Sequence, residues 1–196
     1  MNSLIYAHPL LYELSLRLLY RGRYRERLNA VADAIPDHDR VVDLCAGDCA
    51  VYRYGLRGRP VEYLACDHNP RFMEWAERKG IPTRRMEVGR DPIPPADCVV
   101  MMSSLYQFIP HESRIVEEMI EAARRRVIII EPVRNWAQSR YALIRWLGRR
   151  LARTGEANTM ERFDEARLRE CLSALGFQTF QPIAGERELL CIFDHE

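Results

Sequence analysis

Asp43 and Asp67 stand 24 positions apart, and each closes a short apolar run, Val41-Val42 before the first and Val61-Glu62-Tyr63-Leu64-Ala65-Cys66 before the second. A turn of small residues, Cys45-Ala46-Gly47-Asp48-Cys49, follows the first acid directly. Two buried strands that end in carboxylates, with a helix between them, bring both acids to the carboxyl edge of a parallel sheet, where ligands bind at a topological switch point. That pairing points to a nucleoside cofactor. A dinucleotide fingerprint G-x-G-x-x-G would need glycine at 45, 47 and 50, where the chain has Cys45, Gly47 and Ala50.

The elements around these residues alternate. Helices are predicted over 9–20 and 24–34, where Leu10, Leu11, Leu14, Leu18, Leu28 and Val31 recur at helical spacing, and Pro36 ends that preamble. Strand 40–45, a short helix 50–56, strand 61–66, helix 70–79, strands 83–88 and 97–102, helix 112–125 and strand 127–131 then read as a parallel sheet with covering helices. Pro92, Pro94 and Pro95 replace any long helix between the third and fourth strands, so that face is either thinly covered or covered by the N-terminal helices. Near the end, 177–182 and 188–193 look like strands joined by about five residues, too few for a parallel crossover of a dozen or more. They should form an antiparallel hairpin, unlike an ordinary dinucleotide-binding domain.

Bulk properties bound the rest. At 196 residues, with 47% hydrophobic and 29% charged residues, the chain suits one well-buried domain over 1–196. It has no basic segment leading into a sustained apolar run at its start and no run of membrane-spanning length, so a cytoplasmic protein is expected. A net charge of +1 gives no global attraction to nucleic acid. The six cysteines follow no metal or redox spacing and read as reduced, largely buried thiols, so no metal site is expected.

With the strand-end acids, the small turn and the terminal hairpin assembled, the chain from about residue 40 onward resembles the class I S-adenosylmethionine-dependent methyltransferases. The resemblance implies an α/β, Rossmann-like sheet of seven strands, mostly parallel, with an antiparallel C-terminal hairpin and an N-terminal helical cover or lid over 1–36. The family's first motif, Asp/Glu-x-Gly-x-Gly-x-Gly, falls on Asp43-Leu44-Cys45-Ala46-Gly47-Asp48-Cys49, where the acid and the middle glycine match. By the same resemblance Asp67 would accept from both ribose hydroxyls, each charge-assisted bond contributing about 1.5–3 kcal/mol. Asp43 would face the ammonium end, Cys45, Ala46, Gly47 and Asp48 would form the turn, and His68 and Phe72 would pack around adenine. Asp91 falls where the family often meets the adenine amino group, and Ser103 where it lines the methyl-donor mouth. Core packing for Phe72, solvent exposure for His68 and a capping role for Ser103 and Ser104 are the plain alternatives. The Ser103-Ser104-Leu105-Tyr106 stretch lacks the motifs of DNA base methyltransferases.

Methyl transfer from a sulfonium asks mainly for alignment and exclusion of water. Where a base is needed, His111 is the candidate, with His8 more distant, and Tyr106 is the other catalytic candidate. Tyr6, Tyr12, Tyr20 and Tyr24 could line the lid. A helical insertion over 132–160 follows the fifth strand, and within it 134–153 reads as a basic amphipathic helix: Trp136, Tyr141, Ile144 and Leu147 form a stripe beside Arg140, Arg145 and Arg149. It suggests a small-molecule or lipid-like acceptor and peripheral membrane contact, or else simply covers the domain. Two rivals stay open: a non-catalytic binding protein of the same fold, and a nicotinamide-dependent oxidoreductase.

Overall fold

The computed structural model describes residues 9–20, 22–134 and 161–195. The basic helix expected over 134–153 and most of the insertion over 132–160 lie outside these residues, as does His8.

Seven strands form one sheet: β1 (Arg40–Leu44), β2 (Glu62–Asp67), β3 (Thr83–Arg85), β4 (Ala96–Met102), β5 (Ala123–Pro132), β6 (Thr179–Ile183) and β7 (Glu188–Asp194), in the order β3-β2-β1-β4-β5-β7-β6. The first five are parallel to their neighbours, and β7 runs antiparallel between β5 and β6. The central strands read as unbroken apolar runs because both of their faces are buried. Along β5, Val127 and Ile129 enter one core while Ile128 and Ile130 enter the other.

Helices α1 (Pro9–Tyr20), α2 (Tyr24–Asp33) and α3 (Pro70–Glu77), with a π-helical turn at Tyr52–Leu56, cover the first face. Asn69 starts α3 by accepting from the Arg71 N–H at 3.0 Å, with Pro70 in the first turn where its missing N–H costs nothing. Helix α4 (Glu112–Ala122), α5 (Glu165–Ala174) and a 3₁₀ turn at Leu105–Phe108 cover the second face. The N-terminal helices therefore do not cover the stretch left bare by the prolines. That stretch is thinly covered: an open groove of about 550 Å³, lined by Val42, Leu64, Pro82, Pro94 and Pro95, lies at the amino ends of β1 and β2.

Three elements differ from their sequence reading. The expected helix over 112–125 stops at Ala122, and β5 starts at Ala123 rather than 127. Pairing overrides the local helical pattern there, since Ala123 registers with Ala96 and Arg126 with Asp194 on opposite sides. Strand β3 ends at Arg85, with only an isolated bridge from Val88 to Asp91 beyond it. Helix α5, begun by the Asp164 carboxylate accepting from the Arg167 N–H at 2.8 Å, was not anticipated.

The π-helical turn sits hard against α2. A Cβ on Gly55 would meet the Ala32 Cβ at 2.6 Å. Gly55→Ala ought to stabilise by about 0.4–1 kcal/mol on chain entropy alone, but here we expect overpacking to reverse the sign. A urea melt should show a loss of about 1–3 kcal/mol.

Candidate functional site

The turn after β1 shows what the sequence concealed. Cys45, Gly47 and Cys49, the three positions that the motif fills with glycine, all take left-handed backbone, with φ of 55°, 53° and 54°. The two cysteines thus hold glycine conformations with L side chains. Such residues are uncommon and gather at functional sites, where the surrounding structure over-determines them. The turn is closed by hydrogen bonds from the Ala46 N–H to the Cys66 carbonyl at 3.1 Å and from the Cys49 N–H to the Ala46 carbonyl at 2.8 Å. Cys49 is fully buried, and its side chain joins the core under α2 and α3.

Asp67, at the end of β2, faces this turn. Its Oδ2 accepts from the Gly47 N–H at 2.9 Å and its Oδ1 from the Asn69 N–H at 2.8 Å. Each carboxylate oxygen has a second lone-pair site, so the acid retains acceptor capacity while bracing the turn. His68 is exposed, with Nδ1 3.6 Å from Asp67 Oδ1. Phe72 is buried on α3 and meets the Tyr12 ring edge-on at 5.7 Å between centroids. Tyr12 also closes over the turn, since a Cβ on Gly47 would lie 3.8 Å from its ring. Asp91 is exposed and makes a local contact, accepting from the Glu87 N–H at 2.7 Å.

Buried acids crowd the same edge. Asp43 is 2% exposed, accepts from the Tyr63 hydroxyl at 2.6 Å, and is pushed up to about 7, first by burial and then by Asp67 and Asp48 nearby. Burial likewise raises Asp48 to about 6, although Arg53 at 3.1 Å opposes it. Arg53 also reaches Glu13 of α1 at 2.8 Å, and Glu13 takes the Tyr54 hydroxyl at 2.5 Å. Burial alone would raise Glu13, but these donors hold it below the ordinary carboxylate range. The N-terminal helix is thereby tied by a charged cluster to the turn it covers.

Beyond β4 the 103–106 segment forms the adjoining rim. Ser103 has φ of 54°, and Ser104 opens the 3₁₀ turn without a side-chain cap, its hydroxyl donating to the Met102 carbonyl at 3.2 Å. Glu131, at the end of β5, accepts from the Leu105 N–H at 2.6 Å; burial pushes it up to about 8. The Arg162 guanidinium lies 3.4 Å from the centroid of the Tyr106 ring. His111 is exposed at the start of α4 and makes no side-chain cap there. The structure thus gathers Asp43, Cys45, Ala46, Gly47, Asp48, Asp67 and the Ser103 rim along the carboxyl ends of β1, β2 and β4, whereas His111 is exposed at the N-cap of α4. Sequence reasoning missed Glu131, whose signal was a lone acid closing the apolar run Val127-Ile128-Ile129-Ile130. Among the described residues no cluster of potential metal ligands occurs, and no helix is long and apolar enough to cross a membrane.

No family model and no curated protein matches the sequence. Solved structures do. The methyltransferase in a complex with the Trm112 methyltransferase activator of Haloferax volcanii aligns with a TM-score of 0.72 at 13% identity, covering 98% of this chain and 97% of that one. An S-adenosylmethionine-dependent methyltransferase of Thermotoga maritima aligns at 0.68 and 14% identity over 95% and 96% of the two chains. Magnesium protoporphyrin IX methyltransferase of Synechocystis PCC 6803, solved with bound S-adenosylhomocysteine, aligns at 0.64 and 13% identity over 90% and 85%. The fold is the Rossmann-like fold of class I methyltransferases.

Two outcomes follow for the site itself. Cys45→Gly should keep stability within about 1 kcal/mol of the parent, whereas Cys45→Val, β-branched at a positive φ, should lose about 2 kcal/mol or more in a denaturant melt. The raised carboxyls set the pH dependence. A group bound more tightly to its proton in the folded state contributes stability that is present below its unfolded value near 4 and is lost as pH climbs through its folded value. With Asp43 at about 7, Asp48 at about 6 and Glu131 at about 8, the thermal midpoint should fall between pH 5 and 8. Asp43→Asn, which still accepts from Tyr63, should flatten part of that fall.

Proposed function

We propose that this chain transfers a methyl group from S-adenosylmethionine to a small-molecule or lipid-like acceptor. The observation that carries the reading is the left-handed backbone at 45, 47 and 49 set against the Asp67 carboxylate. The cofactor fits these residues on two counts: Gly47 leaves the turn without a Cβ, and Asp67 keeps lone pairs for a vicinal diol. Asp67 would hold the ribose, the Cys45–Cys49 turn with Asp43 and Asp48 would meet the amino-acid end, and His68 would lie beside the ring system with Tyr12 and Phe72. Asp91 is retained as the partner of the adenine amino group and Ser103 at the donor mouth.

The cofactor supplies an already activated methyl on a sulfonium. The chain's own contribution is therefore orientation and exclusion of water, which Tyr12 and the tied N-terminal helix provide above the turn. For an acceptor that loses a proton, His111 is the side chain assigned to receive it, and Tyr106 is the second catalytic candidate. We read 1–196 as a single methyltransferase domain of the cytoplasm, with 1–36 as lid and 132–160 as the acceptor-facing insertion. Turnover of the cofactor, rather than its binding, separates this enzyme from a non-catalytic relative of the same fold. A β7 reversed between β5 and β6 favours a methyltransferase over a nicotinamide-dependent oxidoreductase.

Calorimetric titration with S-adenosylhomocysteine tests the reading. Micromolar binding is expected, weakened about tenfold or more in Asp67→Asn, which replaces one charged acceptor by an amide donor. NADH should not bind. Absence of homocysteine-form binding, or preference for NADH, overturns the proposal.

A further inference from the structure

The tip of β4 is held by a buried ion pair that joins the two ends of the chain. Arg27 of α2 donates from Nε to Glu188 Oε2 at 2.8 Å and from Nη2 to Oε1 at 2.7 Å, a bidentate pair whose side chains are 4% and 0% exposed. Tyr20 of α1 donates its hydroxyl to Oε1 at 2.5 Å, and its ring lies under the guanidinium at 4.3 Å. The same Arg27 Nη2 donates to Ser103 Oγ at 2.7 Å, and that hydroxyl in turn donates to Glu188 Oε1 at 3.3 Å. Ser103 is the left-handed residue that turns the chain off β4, and its N–H donates to the Ile130 carbonyl at 2.6 Å. On the other side Glu131 holds the Leu105 N–H.

A buried ion pair is weak evidence for stability, since apolar residues of similar volume often serve as well; its strength is fixed geometry. Here the fixed object is the Ser103 side chain. The register says what that does: Leu44 pairs with Cys66 of β2 on one side and Met101 of β4 on the other. A ligand held by Asp67 at β2 and crossing the turn after β1 therefore ends against the 103–105 rim.

We propose that Arg27 and Glu188 are positioning residues for the reactive end of the site, acting through Ser103 on the part of the cofactor that carries the transferred group. The inference rests on the methyl-transfer reading. Arg27 and Glu188 themselves need touch neither cofactor nor acceptor. They fix the wall against which the sulfonium end is aligned, leaving the adenosine end to Asp67.

The test compares two ligands that share adenine and ribose: S-adenosylhomocysteine, and adenosine, which lacks both the sulfur and the amino-acid end. In Arg27→Met/Glu188→Leu, which leaves no lone buried charge, and separately in Ser103→Ala, the dissociation constant for S-adenosylhomocysteine should rise by about tenfold and about threefold, while that for adenosine stays within about twofold. A merely structural role would weaken both ligands alike. Parallel losses, or no change for S-adenosylhomocysteine, overturn the proposal; where the double variant does not fold, the Ser103→Ala pattern decides. Wild-type protein that binds neither ligand contradicts the cofactor reading instead.

Discussion

The site depends on one hydrogen bond, from the Gly47 N–H to the Asp67 carboxylate at 2.9 Å. It spans the carboxyl ends of β1 and β2 and joins a backbone that must run left-handed to an acid that must stay at the sheet edge. A left-handed cysteine persists only where its surroundings over-determine it. Here the Ala46–Cys66 and Cys49–Ala46 bonds, the buried Cys49 side chain and Asp67 supply that constraint together. The acid is thus a support for the turn as well as a ligand group, and a substitution there acts on both.

The helices that precede the sheet are seated on it by apolar side chains such as Leu28, Val31 and Ala32 and registered by polar groups. Glu13 ties α1 to Arg53 and Tyr54, Tyr20 ties it to Glu188, and Arg27 ties α2 to the last strand. Leu14 and Leu18 of α1 point outward at 54% and 70% exposure while Glu13 is 6% exposed, although Leu16, Leu19 and Tyr20 of the same helix pack on the core. Directional bonds, unlike apolar contact, specify one seating. The cover is accordingly registered against both the turn after β1 and the tip of β4.

The sheet was legible because its central strands are buried on both faces, which leaves runs such as Val127-Ile128-Ile129-Ile130 with no other reading. The terminal hairpin was legible from a connection too short for anything else. The early start of β5 was not, since Ala123-Arg124-Arg125-Arg126 favours helix locally and only pairing with Ala96 and Asp194 makes it strand. The glycine motif was half visible: Cys45 and Cys49 disguise positions whose backbone is glycine-like. The Arg27–Glu188 pair left no local trace, because its partners are far apart in sequence and meet only once the last strand is in place. Asp67 was readable from a strand-end acid at fixed spacing, but its bond to Gly47 belongs to the fold.

A crystal structure grown with S-adenosylhomocysteine tests the central claim most directly. The account predicts both ribose hydroxyls on the Asp67 carboxylate and an unchanged left-handed backbone at Cys45, Gly47 and Cys49, with the amino-acid end along that turn and the sulfur facing the Ser103 rim. Ligand bound elsewhere, or a turn that rearranges away from Asp67 on binding, would contradict it.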